Sequence, residues 1–197
     1  PLAEFAETIH DYSTANTVTL GEFAEGAEVL IGGMITQVRQ VVVKNGKSAG
    51  SKMAMFTLED LNGKAEGVIF PSDFALHGYL MQQDKMVFLK AQVDKRREQP
   101  SLKVSYVYDM NRAEEELTNE VMVNLEKDII SSNVLSQLRT ICAAHRGSTP
   151  MLVSLTTNNN MRVKIQTGAG VRPDSEFRRK VCNIFGHENI RLTGPGI

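Results

Sequence analysis

The stretch Met53 to Pro71, MAMFTLEDLNGKAEGVIFP, leaves the chain few choices. Its first half alternates, with Phe56 and Leu58 on one side, and its second half alternates through Glu66, Val68 and Phe70. Between them, Leu61-Asn62-Gly63 carries the Asn-Gly pair, whose ease in adopting φ > 0 matches a tight turn to the twist of two paired strands. Pro71 has no N–H to give to a ladder, so the second strand must end there. The spacing predicts a β-hairpin, and its neighbours decide what sheet it joins.

Upstream, a β-rich run from Ala27 to Val43 is interrupted by Gly32-Gly33, a pair that marks a bulge or a sharp bend. A strand serving both halves of a small barrel needs such a bend. Lys44 to Lys52, KNGKSAGSK, is a polar connector. Downstream, Pro71 opens a short helix expected over Ser72 to Gln83, with Phe74, Leu76, Tyr79 and Leu80 available for packing. Met86 to Val93 alternates again, placing Val87, Leu89, Ala91 and Val93 on one face and Met86, Phe88, Lys90 and Gln92 on the other. A charged turn, Asp94 to Ser101, leads into a strand where Leu102, Val104, Tyr106 and Tyr108 alternate. Three strands, a helix and two strands over residues 27–110 is the element order of the five-stranded Greek-key barrel called the OB-fold.

The flanks differ. Residues 1–26 are expected to be a helix tail, with Leu2, Phe5, Ala6 and Ile9 at helical spacing, followed by a linker. Residues 111–119, holding Glu114-Glu115-Glu116, are expected to be a second linker. Residues 120–197 start afresh with a strand at Val121, Val123 and Leu125. A helix follows, capped by Ser131 or Ser132 and bearing Val134, Leu135, Leu138, Ile141 and Cys142. Two strands, Met151 to Thr156 and Met161 to Thr167, flank the turn Asn158-Asn159-Asn160. A second helix turns Phe177, Val181, Ile184 and Phe185 inward and ends at Gly186, before a last strand at Ile190 and Leu192. This β-α-β-β-α-β order is that of a small split-βαβ, ferredoxin-like sandwich, which makes the chain β plus α+β.

Charge and motif content narrow the function. A formal net charge of -1 excludes a globally basic nucleic-acid binder, yet residues 1–26 hold five acids and no Lys or Arg, while residues 27–110 hold eleven cations against nine acids. Cys142 and Cys182 belong to no CxxC, so two buried, reduced thiols are expected. No run reaches the ~18 apolar residues of a membrane span, and the expected location is the cytoplasm. His10, His77, His145 and His187 are isolated, and GxGxxG, Walker and GxSxG motifs are absent. Glu59-Asp60 finds no second acidic pair and is best read as setting the turn. No catalytic residue, metal ligand or cofactor is therefore expected. The chain opens on Pro with no signal peptide, which suggests an excised or processed segment, although mature proteins can also begin with Pro.

Basic residues in loops carry the remaining signal. Arg39, Lys44, Lys47 and Lys52 flank or occupy the first connector, Lys95, Arg96 and Arg97 sit in the last turn, and Lys103 follows it. In an OB-fold those two loops rim one face, on which oligonucleotides lie. The charges would meet phosphates and Phe88 would stack on a base. Two other readings are an OB barrel that binds protein and never touches DNA, and a nuclease or ligase fragment, which lacks ligand clusters.

GGMITQVR (Gly32 to Arg39), the KNGK of the connector (Lys44 to Lys47) and MAMFTLEDLNGKAEGVIFPSDF (Met53 to Phe74) resemble the OB-fold domain of the bacterial DNA polymerase III alpha subunits. PLAEFAE resembles that family's linker before the domain, and residues 120–197, with Val171 to Asp174 opening the last helix, resemble its extreme C-terminal domain. The resemblance implies the non-catalytic end of a DNA-directed DNA polymerase. It implies an OB domain guiding single-stranded template DNA, a C-terminal domain docking the clamp-loader tau subunit, and a sliding clamp engaged through the parent chain. Gln82 to Phe88 superficially resembles the clamp-binding peptide but overlaps the predicted fourth strand. The KSAGSK stretch and the GPGI end (Gly194 to Ile197) depart from the family pattern.

Overall fold

A computed structural model describes residues 2–96, 98–125, 131–156 and 161–194. The chain divides into two compact units, Pro1–Ala113 and Glu114–Ile197.

In the first unit, β1 (Glu28–Val42), β2 (Lys52–Glu59), β3 (Lys64–Ile69), β4 (Met86–Asp94) and β5 (Ser101–Asp109) close a barrel in the order β1-β2-β3-β5-β4. Closure depends on β1, which pairs with β4 from Glu28 to Met34 and with β2 from Met34 to Val42. The changeover falls where the glycine pair stands. A Cβ on Gly33 would lie 2.6 Å from the Glu59 carbonyl oxygen, so only glycine permits the close approach at this corner. Thr36 is the extra residue of a bulge, since Ile35 faces Leu58 while Gln37 faces Thr57.

Period-two alternation fills the interior, with Ile31, Phe56, Leu58, Ile69, Leu89 and Val104 among its members. The expected alternation of β5 breaks partway. Lys90 pairs with Tyr106 but Ala91 pairs with Val104, so Ser105 bulges and its hydroxyl donates to the Lys90 carbonyl. Val107 then turns inward and Tyr106 becomes exposed. The helix after the hairpin, α2 (Pro71–His77), is shorter than its spacing suggested and leaves Leu76 and Tyr79 exposed. His77 faces the barrel instead, its ring centroid 4.1 Å from that of Tyr106.

The residues expected to be a helix tail and linker are folded onto the barrel. Helix α1 (Ala6–Tyr12) buries Ile9 and Tyr12. The strap that follows is stitched to β1 by Thr14 N–H donating to the Leu30 carbonyl at 2.8 Å and Leu30 N–H donating to Thr14 Oγ1 at 2.8 Å. Leu20 is fully buried in the barrel core. Farther along, the strap meets the hairpin at Asp60, which accepts Thr17 N–H and Thr17 Oγ1–H at 2.7 Å each. Asp60 also accepts Asn62 N–H at 2.8 Å and Gly63 N–H at 2.9 Å, so one carboxylate sets the turn and fastens the strap.

Helix α3 (Ala113–Leu117) occupies the Glu-rich stretch. The second unit holds β6 (Glu120–Leu125), α4 (Ser132–Ala144), β7 (Arg146–Thr149), β8 (Met151–Thr156), β9 (Arg162–Gln166), α5 (Ser175–Phe185) and β10 (Ile190–Thr193). Its sheet runs β10-β6-β8-β9. The element order is the expected one, with the short β7 added ahead of β8. However, β6 and β8 are direct parallel neighbours, so the crossover through α4 is a plain βαβ and not the split unit of a ferredoxin-like sandwich. Val121, Val123 and Met151 pack with Leu138, Phe177 and Val181. Ser131 caps α4 and Asp174 caps α5, each accepting a backbone N–H of the first turn. Among the described residues, no helix is long and apolar enough to cross a membrane. The turn at Asn158-Asn159-Asn160 and the end from Pro195 lie outside the described residues.

Candidate nucleic-acid interface

The outer surface of the barrel is divided. Where β1 pairs with β4, α1 covers it. Where β1 pairs with β2, and across β3 to the start of β5, the strand register builds a bare surface. Arg39 stands opposite Met55, Met55 opposite Val68, and Val68 opposite Lys103, giving one outward row across four strands. Gln37, Thr57 and Glu66 form a parallel row beside it. These rows floor a groove of about 700 Å³ that Met53, Phe70, Asp94, Arg96 and Ser101 also line. Met55 and Phe70 are 41% and 42% exposed, an apolar platform open to solvent.

The end of the groove at the β4–β5 turn is strongly polar. Asp94 accepts Arg96 Nε–H at 2.9 Å, an Arg96 terminal N–H at 2.7 Å and the Lys103 ammonium at 3.2 Å. The Arg96 guanidinium holds the Asp94 carboxyl far below the usual carboxylate range. Arg96 N–H also donates to Asp94 Oδ1 at 3.1 Å, which shapes the turn. Lys95 is committed elsewhere. Its ammonium donates to the Gly21 and Phe23 carbonyls of the strap at 2.7 and 3.0 Å.

Residues 29–110 match the family of the OB-fold nucleic acid binding domain. Sequence relatives extend past the barrel. The DNA polymerase III subunit alpha of Pseudomonas aeruginosa is 26% identical over 196 residues, which cover 98% of this chain and 16% of the relative. That of Halalkalibacterium halodurans is 25% identical over 158 residues, covering 78% and 13%. That of Escherichia coli K12 is 23% identical over 171 residues, covering 85% and 14%. The chain is homologous to the DNA polymerase III alpha subunits. It spans 13% to 16% of the length of these relatives.

In this alpha-subunit homologue, the structure gathers only part of the expected contact set. Arg39 and Arg96 line the groove, and Lys103 joins it through the register with Val68 and its bond to Asp94. Lys44, Lys47 and Lys52 are exposed on the connector and at the start of β2, outside the groove lining. Lys95 is tied to the strap, and Arg97 lies outside the described residues. Phe88 requires a correction. It faces out of the barrel as its alternation demands, yet it is fully buried, its ring centroid 6.4 Å from that of Tyr12 on α1. No base can stack on it, because the N-terminal segment expected to be a helix tail and linker is its cover. The peptide Gln82 to Phe88 likewise ends in β4, with Val87 in the barrel core. Phe70 is the residue the sequence reading missed. Its signal was present, as the third member of the outward set Glu66, Val68 and Phe70 at the point where Pro71 ends the strand. Among the described residues, no group of three or more His, Cys, Asp or Glu could hold a metal ion.

Proposed function

We propose that this chain is a non-catalytic part of a replicative, cytoplasmic DNA polymerase, and that its barrel holds single-stranded DNA in the groove over β1, β2 and β3. The observation that carries the reading is the outward row Arg39, Met55, Val68 and Lys103 with Phe70 beside it. An apolar floor for unpaired bases between cations for phosphates is the arrangement that single-stranded nucleic acid requires. Stacking on Phe70 is tolerant of sequence, since every base has a π-face, and this suits a guide for template of any sequence. Anisotropy of a labelled oligothymidylate tests it. Binding is expected to weaken with salt, Arg39→Ala to lower the salt slope by about 0.7, and Phe70→Ala to cost about 1–3 kcal/mol. No binding at low salt refutes the reading and favours a barrel that binds protein.

For the second unit the proposed role is docking of the clamp-loader tau subunit, with the sliding clamp engaged through the longer chain. The large apolar residues exposed there, Leu135, Met161, Val163 and Ile165, support a protein-facing surface. A pull-down with tau should fail when residues 120–197 are deleted, and retention moves the docking site elsewhere.

A further inference from the structure

We propose that Asp94 is a built-in stand-in for a nucleic-acid phosphate, occupying the Arg96–Lys103 pair until a strand entering the groove displaces it. The inference rests on the single-stranded DNA reading of the groove. A carboxylate and a phosphate present the same feature to an arginine fork, two oxygens that take parallel N–H bonds. The Asp94 carboxylate takes that fork from Arg96, through Nε and one terminal nitrogen, and takes the Lys103 ammonium as well. The edge of Arg96 best suited to a phosphate is therefore filled from within the chain. The site stays within reach of a ligand, because the Arg96 side chain is 70% exposed while that of Asp94 is 10% exposed beneath it.

Two consequences follow from the charges. Arg96 and Lys103 bring two positive charges to this end of the groove, and Asp94 cancels one of them. An intramolecular carboxylate also competes at a high effective concentration, which no dilution reduces. Phosphate entry here is an exchange of one anion for another, so affinity is held down and release is fast. Arg39, on the far side of the groove, forms no ion pair with the described residues and carries no such competitor. A strand can be captured at Arg39 and exchanged at Arg96, which suits a groove that template must slide through. Arg96 keeps Asp94 ionised well into acid, so salt and phosphate, rather than pH, release the contact.

Asp94→Asn separates this role from turn building, because the asparagine oxygen can still accept the Arg96 backbone N–H. On the full chain, with labelled oligothymidylate, Asp94→Asn should bind more tightly than wild type. The ratio of Kd at 200 mM salt to Kd at 50 mM should rise about 2.6-fold, the effect of one added charge at a single-strand slope of about 0.7. Asp94→Ser should behave alike, and both gains should vanish in an Arg96→Gln, Lys103→Gln background. Equal or weaker binding by both variants overturns the proposal and makes Asp94 a positioning residue for Arg96. A gain that survives in the double-Gln background also overturns it, since net charge alone then explains the effect. On the wild-type chain, the Arg96 Nε–H resonance should shift on saturation with oligothymidylate, and an unmoved resonance overturns the proposal without any variant. Failure of every protein to bind at low salt removes the groove reading and this one together, whereas binding without these changes removes only this one.

Discussion

Asp60→Ala tests whether the barrel depends on its N-terminal strap. The carboxylate is 6% exposed and accepts four hydrogen bonds, two from Thr17 and one each from Asn62 and Gly63. Removing it leaves three backbone N–H groups and one hydroxyl without their acceptor. The Thr17 hydroxyl can rotate toward water, and Asn62 is exposed enough to recover a water bond. That leaves the Thr17 and Gly63 N–H groups, each losing about 1.5–3 kcal/mol for a bond to a charged acceptor, so the expected loss is about 3–6 kcal/mol. Asp60→Asn should cost less, about 1–2 kcal/mol, because three of the four bonds reach Oδ1 and survive, while only the Thr17 N–H on Oδ2 meets an amide donor. Urea unfolding followed by tyrosine emission is the assay. The chain has no Trp, and Tyr12, Tyr79, Tyr106 and Tyr108 all lie in the first unit, so the signal reports that unit alone. Hydrogen exchange should show the Thr14 and Leu30 amides opening along with the strap. A loss below about 1 kcal/mol at an unchanged urea slope would refute the anchor, since the donors would then have been satisfied without it.

Two further outcomes follow from the barrel interior and its one buried imidazole. A Cβ on Gly67 would stand 2.3 Å from Phe56 Cζ, inside a packed core, so Gly67→Ala should lower stability by about 1–3 kcal/mol in the same urea assay. Adding Phe56→Leu should recover part of that loss, and a neutral Gly67→Ala would contradict the packing. Burial holds the His77 imidazole below its ordinary value of about 6.5, against a smaller upward pull from Asp73. The unfolded chain therefore takes up this proton more readily than the folded one. The first unit should be fully stabilised above about pH 6.5 and lose stability as pH falls toward the folded value, by at most ~1.36 kcal/mol per pH unit. His77→Phe, which keeps a ring against Tyr106, should flatten urea midpoints across that window, and an unaltered slope would assign the effect to other groups.

The barrel was legible because its signals are local. Asn62-Gly63 and Pro71 frame the hairpin, Gly32-Gly33 marks the corner of β1, and inward positions recur with period two. What escaped the sequence is whatever depends on an inserted residue or on distant chain. Ser105 shifts the phase of β5 and turns Tyr106 outward, yet nothing in its identity announces a bulge. In the second unit, the element order was readable but the direct pairing of β6 with β8 was not, because alternation says which residues face inward and not which strand lies alongside. The candidate site was half legible for the same reason. The OB-fold order put Arg39, beside the first connector, and Arg96, in the last turn, on one face, but it could not say that Asp94 already holds Arg96, or that the strap holds Lys95.

The N-terminal segment, α1 together with the strap, explains most of the difference between the expected and observed sites, and it does so twice. By covering β1 and β4 it converts Phe88 from an outward aromatic into a buried one, closing that side to bases. It also brings to the first unit five acids and no Lys or Arg, a charge that repels a polyanion from the side it covers. The free half of the barrel, over β1, β2 and β3, is left with Met55 and Phe70 uncovered and with Arg39 as a cation in no ion pair with the described acids. A segment that reads in sequence as a helix tail and linker thus selects which face of the barrel is available. Fastening that segment at Asp60, inside the hairpin turn itself, makes the choice of face a property of the fold and not of a mobile arm.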